Sequence, residues 1–190
     1  TGTITPASYT SISGSKVYNG NASFANVLLS GVNGETFIVS NATSNSANVL
    51  DSSSFTGASG ITGQSGALTS NYTALDVTSL TGASNTAEIT PATVTLAGAK
   101  VYDQTTSFAS SAFGTAGVIS TGIGSETLTV GGSGAVGSKD VVSGTQSLSL
   151  GTLALNDGTG LSSNYQLAAS GNTGTITPAS YTSISGSKVY

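Results

Sequence analysis

TGTITPASYTSISGSKVY, residues 1–18, returns letter for letter as residues 173–190. The copies are offset by 172 residues (173 − 1), and all eighteen positions match. An unbroken match of that length points to tandem duplication rather than to a recurring short motif. A 172-residue unit is therefore expected to repeat in a longer parent chain, of which this sequence is an excerpt. A shorter period lies inside it. ITPAS at residues 4–8 returns as ITPAT at 89–93 and as ITPAS at 176–180. SKVYNG at 15–20 returns as AKVYDQ at 99–104 and as SKVY at 187–190, and SNY stands at both 70–72 and 163–165. Pro6 to Pro91 is 85 residues and Pro91 to Pro178 is 87, so each period holds two diverged modules.

Around these markers the chain reads as strands. SYTSI and TVTLAG alternate with period 2, and NVLLSGV, ETFIVS, SETLTVGG and TQSLSLGTLAL are short apolar or β-branched runs. Turn pairs punctuate them: NG at Asn19 and Asn33, GG at Gly131 and DG at Asp157. Proline lacks an N–H, so Pro91 and Pro178 are expected at junctions where the last strand of one module runs into the first strand of the next. The pattern predicts an all-β protein of two tandem small antiparallel β-sandwich modules of immunoglobulin-like kind, end to end, plus the first strand of a third. β-grasp-like modules are the alternative. A continuous β-helix ranks third, because no coil-length period is sustained. The expected boundaries are 1–6 for the end strand of a preceding repeat, 7–91 and 92–178 for the two modules, and 179–190 for the first strand of the next.

Composition removes several function classes. Only 6% of the residues are charged, against about 25% in an average globular domain. The four cations are all lysines, too few for a nucleic-acid footprint, and the net charge of −4 disfavours anionic lipid. No apolar run approaches the length of a membrane span. Cysteine and histidine are absent, so disulfides, thiolate metal sites, the common general base and the best nucleophile are missing together. The reading is not an enzyme, with no cofactor.

KVYNG and KVYDQ, followed by NY some 55 and 64 positions on (Lys16 to Asn71, Lys100 to Asn164) and a closing ITPA, resemble the YDG-type repeat of large secreted, filamentous-haemagglutinin-like bacterial adhesins. The resemblance covers nearly the whole chain, twice over. This sequence departs from the family pattern at Asn19, where the family has Asp, and at Gln104, where it has Gly, so the turn after the tyrosine is expected to differ between modules. The resemblance implies a stalk or adhesive repeat at the bacterial surface or in the biofilm matrix. Neighbouring identical repeats are the expected partners, and polysaccharide or cell-surface glycans the alternative ones, with no nucleic acid and no membrane insertion.

The residues carrying the motifs are Lys16, Tyr18, Asn19, Asn71, Tyr72 and Pro91 in one module, and Lys100, Tyr102, Asp103, Asn164, Tyr165 and Pro178 in the other. Tyr18 and Tyr102 are expected to bury their rings at the module edge, with sugar stacking as the competing reading. Asn19 and Asp103 are expected to accept backbone N–H bonds in the turn. The lysines read as edge charges that discourage aggregation, and against that stands an isopeptide crosslink of Lys16 to Asn71 and Lys100 to Asn164. The eight carboxylates are scattered, which leaves Glu88 with backbone carbonyls as the one junction Ca²⁺ candidate. Three functions follow: a structural stalk or fibre repeat, a glycan-binding module, and a filament that assembles by adding the strand 179–190 to a neighbour.

Overall fold

The computed structural model describes residues 2–188, and among them are sixteen strands, six short 3-10 turns and no α-helix. The chain divides into two compact units. Unit 1 is Thr1–Ala92 with Ser163–Tyr165, and unit 2 is Thr93–Ser162 with Gln166–Tyr190.

Unit 1 contains β1 (Ser11–Val17), β2 (Ser23–Phe24), β3 (Val27–Ser30), β4 (Thr36–Ser44), β5 (Phe55–Gly63) and β6 (Asn85–Thr90). β1 pairs antiparallel with β3, setting Ile12 opposite Leu29, and β3 and β5 flank β4 in the same antiparallel sense. On its other edge β1 pairs parallel with β6, from Ile12 opposite Asn85 to Val17 opposite Thr90. The path β5-β4-β3-β1-β6 curls until its two ends meet in a nearly closed barrel. The Phe55 N–H donates to Asn85 Oδ1 (2.7 Å), Asn85 Nδ2 donates to the Phe55 carbonyl (2.9 Å), and the Ala87 N–H donates to Ser53 O (3.1 Å). A side-chain amide has the donor and acceptor of a peptide, so Asn85 supplies the rung that the two edge strands lack.

The interior is filled from alternate positions. β4 sends Phe37, Val39, Ala42 and Ser44 inward, and with Ile12, Leu29 and Phe55 they form a core from which water is excluded. Each large apolar side chain buried this way contributes about 1.5–3 kcal/mol. Gly14 on β1 is the exception in size. A Cβ there would lie 3.1 Å from a Val27 methyl and 3.2 Å from the Phe55 ring, so the absent side chain is what admits the aromatic.

The remaining strands are β7 (Ala92–Val94), β8 (Ala97–Val101), β9 (Ser107–Ala109), β10 (Val118–Ser120), β11 (Thr127–Gly131), β12 (Ser133–Val136), β13 (Gln146–Ser149), β14 (Ala154–Asp157), β15 (Tyr165–Leu167) and β16 (Thr173–Thr177). They form a three-stranded sheet, β10-β11-β14, a five-stranded one, β8-β16-β13-β12-β9, and the pair β15-β7. β16 runs parallel to β8 and antiparallel to β13. Gly132 (φ +81°) interrupts the run that would join β11 to β12, and Gly151 (φ +56°) separates β13 from β14, which is why two sheets form here. Phe108, Phe113 and Leu128 are fully buried, Leu96 nearly so, and a Cβ on Gly98 would come within 2.7 Å of Phe113 and 2.9 Å of Phe108.

The expected antiparallel immunoglobulin-like sandwich is not what forms. The two larger sheets are mixed, because the strand that carries each KV lies parallel to the strand that ends in IT before the proline: β1 with β6 and β8 with β16. Turn residues announce hairpins between successive strands, whereas a parallel pair is joined through everything between its members and leaves no local mark. The strands expected at 1–6 and 179–190 are also absent among the described residues. Residues 2–6 and 179–188 carry no strand, and residues 189 and 190 lie outside the description.

Candidate functional site

β1 delivers Lys16 and Tyr18 to the edge of the barrel in fixed register. Lys16 sits opposite Ile89, and the Tyr18 N–H donates to the Thr90 carbonyl at 2.8 Å. The chain then turns back over the lysine. Lys16 Nζ donates to Asn19 Oδ1 (2.7 Å), Asn21 O (2.5 Å), Asn21 Oδ1 (3.0 Å) and Ser23 O (2.9 Å), and stands 5.0 Å from the Phe24 ring centroid. Partial burial lowers its pKa from the usual lysine value.

Unit 2 repeats the arrangement with different letters. Lys100 Nζ donates to Asp103 Oδ1 (2.7 Å), Thr105 O (2.9 Å), Thr105 Oγ1 (2.8 Å) and Ser107 O (2.8 Å), with the Phe108 ring 5.2 Å away. The Tyr102 N–H donates to Thr177 O at 2.8 Å. Asp103 Oδ1 also accepts from the Thr105 N–H (3.0 Å), and the bond from Lys100 holds its carboxyl down to about 2. The expected difference between the two turns does not materialise. Gly20 has φ +82° and Gln104 has φ +67°, so both turns pass through the left-handed region, and Gln104 occupies it at a steric cost glycine avoids.

The first SNY triplet packs inside unit 1. Tyr72 stacks on Tyr9 (centroids 4.7 Å apart) and meets Phe37 edge-on (5.0 Å). Its hydroxyl donates to Glu35 Oε2 in a short bond and accepts from the Val32 N–H at 3.0 Å. The bond to Glu35 is the main cause raising the tyrosine's pKa. Gly31 is obligatory beside it, since a Cβ there would collide with the Tyr72 hydroxyl. The neighbouring Asn71 side chain is exposed, while its carbonyl accepts from the Ala7 N–H at 2.9 Å. A cleft of about 460 Å³ opens here between Ile4, Pro6, Val32, Glu35, Asn71 and Tyr72.

The second triplet, Ser163–Tyr165, also belongs to unit 1, and its environment there is different. Tyr165 meets the Tyr18 ring edge-on at 5.3 Å. Asn164 is 1% exposed; its Oδ1 accepts from the Val49 N–H (2.9 Å) and its Nδ2 donates to Asn48 Oδ1 (3.1 Å). Tyr18 is buried and Tyr102 half-buried. Neither lysine reaches for the asparagine of the crosslink hypothesis, since both ammonium groups are engaged by their own turns. Pro91 stands between β6 and β7, and Pro178 directly follows β16. Glu88 on β6 is exposed, and among the described residues no three Asp or Glu side chains gather to hold a metal ion.

Two residues of consequence escaped the sequence reading, Asn85 and Asn172, each six positions before the proline of an ITP. Asn85 closes the barrel of unit 1. Asn172 Oδ1 accepts from the Leu96 N–H (2.8 Å) and its Nδ2 donates to Ala168 O (2.8 Å). The readable signal was the shared pattern N-T-x-x-I-T-P, which extends the boundary motif upstream. Glu35 escaped too, although G-E-T at 34–36 and S-E-T at 125–127 open corresponding strands.

Residues 85–174 match the family model described as the YDG domain, so a YDG domain occupies that part of the chain. No curated protein and no solved structure matches the chain.

Proposed function

We propose that this chain is a structural repeat from the stalk or fibre of a secreted bacterial surface adhesin, working in cell adhesion or the biofilm matrix and not as an enzyme. Its partners on this reading are neighbouring copies of the same repeat, and each module sets its KV-bearing strand beside the strand that ends in IT. The carrying observation is where the motif residues direct their polar atoms. Lys16 and Lys100 each spend their ammonium on one turn, and Tyr72 spends its hydroxyl on Glu35 and Val32. Groups so engaged rigidify loops, and none of these three side chains is poised as a base or nucleophile for a substrate.

The test is surface labelling. Antibodies raised against residues 85–174 should bind intact cells of the source organism, and proteolytic shaving of those cells should remove the signal. Labelling only after lysis overturns the reading. The glycan-binding alternative would need exposed rings: Tyr72 is covered on one face by Tyr9, whereas Tyr181 lies open to water. A glycan array with the whole chain tests it directly. The strand-addition alternative draws on the exposed side chains of Tyr181 and Ile184, and is tested with the association measurements below.

A further inference from the structure

We propose that the cleft beside Tyr102 docks the Ser70-Asn71-Tyr72 corner of a second copy of this chain. The inference rests on the stalk reading and supplies the contact by which one repeat would engage the next.

The argument begins with a corner that is already seated. Within unit 1 the triplet Ser163–Tyr165 places Tyr165 against Tyr18, while Asn164 takes the Val49 N–H and donates to Asn48. Asn164 is 1% exposed there, which defines what a filled site looks like. The other triplet has the same three letters, and its asparagine is exposed. Tyr72 of that corner is already buried on Tyr9 and Phe37, so Asn71 and the flanking Val32 are what it presents to a second copy.

The receptor is found in unit 2. Tyr102 stands to β8 as Tyr18 stands to β1, with the same 2.8 Å backbone bond and the same lysine-clamped turn after it. Beside Tyr102 lies a cleft of about 380 Å³, walled by Val141, Pro178, Ala179, Ser180 and Tyr181. Asn48 and Val49 precede Phe55 by seven and six residues; Val141 and Val142 precede Leu148, the matching strand residue, by the same seven and six. The Val142 N–H therefore corresponds to the donor that Asn164 uses at Val49. Val141 and Val142 are 44% and 42% exposed, and on the opposing corner Val32 is 39% exposed. Two half-exposed apolar surfaces, each with one complementary amide group, are what such a contact would bury. Because the two surfaces differ, the association is heterologous, and chains add head to tail.

Sedimentation velocity on the whole 190-residue protein tests this, at concentrations up to about 1 mM, the local concentration a short covalent link provides. The wild type should grow in mass with concentration without reaching a closed limit. Asn71→Lys and Val141→Lys should each remain monomeric alone, because each has lost one surface. An equimolar mixture should give a 1:1 dimer and nothing larger, since one intact surface of each kind remains. Thermal melts confirm that both variants fold. A wild type monomeric throughout, or a mixture without dimer, overturns the proposal. Variants that associate like the wild type also overturn it, in favour of strand addition through residues 179–190, which neither substitution touches. Should a variant fail to fold, the wild type decides alone: rising concentration should shift the NMR signals of the Asn71 side-chain amide and the Val142 amide, and shifts confined elsewhere refute the contact. Surface labelling without association removes the docking inference only, and association without surface labelling removes the stalk reading only.

Discussion

Residues 1–18 and 173–190 are one sequence in two conditions. Ile12 is fully buried and its counterpart Ile184 is 96% exposed; Tyr9 is 8% exposed and Tyr181 98%. Residues 2–5 show the reverse: Ile4 is 99% exposed, whereas Ile176 lies in β16 at 3%. Neither propensity nor pattern differs between the copies. What differs is the presence of partners: β1 lies between β3 and β6, and β16 lies between β8 and β13. The alternation of side chains makes a strand possible, and the neighbouring ladder makes it real.

The sharpest way to break this comparison is to truncate the same residue in both copies. Ile12→Ala should destabilise unit 1 by about 2–5 kcal/mol, as core truncations do, and Ile184→Ala should change unit 2 by no more than about 0.5 kcal/mol. Urea unfolding followed by tyrosine fluorescence measures both. An equal loss for Ile184→Ala would mean that residues 179–188 pack after all.

Next in size is the pair of buried asparagines. Asn85→Ala leaves the Phe55 N–H and carbonyl without their rung, at about 1–3 kcal/mol for each group stranded. Hydrogen exchange should show Phe55 losing protection. In unit 2 the equivalent donor, the Leu148 N–H, is bonded to the main-chain carbonyl of Asn172 at 2.9 Å. Asn172→Ala should therefore spare Leu148 and expose Leu96 instead. Exposure of Leu148 would contradict the correspondence between the two seams.

Smaller effects belong to the turns. Lys16→Met and Lys100→Met should each cost about 1 kcal/mol, because the lost charged hydrogen bonds are partly replaced by water. Gln104→Gly should raise stability by about 0.5 kcal/mol, the relief of a left-handed side chain being offset in part by glycine's greater freedom when unfolded. Thermal or denaturant melts separate these signs. Smallest is the pH dependence. Asp103 titrates at about 2 when folded, below its unfolded value of about 3.9, so its contribution is complete above that value and disappears as pH falls through 2. Asn19 at the matching position confers no such dependence on unit 1. Carbon-detected NMR of the Asp103 carboxyl reads it, and an ordinary carboxylate midpoint would contradict the Lys100 clamp.

The motif positions were legible because each recurs at an interval: KVY, SNY and ITP stand out in a chain otherwise dominated by Ser, Thr, Gly and Asn. The strands over ETFIVS and SETLTVGG were legible from alternation, and they appear as β4 and β11. Run TQSLSLGTLAL read as one stretch, and it breaks into β13 and β14 at Gly151. The repeated N-T-x-x-I-T-P marks Asn85 as a motif position, but its role could not be read there, since an asparagine that closes a barrel and one that caps a turn look alike in sequence.

By itself, then, the sequence determined that the chain is all-β, that its motifs come in pairs, and that lysine, tyrosine and asparagine stand at fixed places in each pair. Those properties are local, carried by alternation, turn chemistry and spacing. Tertiary structure decided which edge each strand joins, that β1 runs parallel to β6 and β8 to β16, and that Ser11–Val17 is a core strand while the same letters at residues 183–188 lie open to water. Hydrogen-bond ladders and core burial are made between residues far apart in the chain, so no segment carries within itself the partner that fixes its conformation.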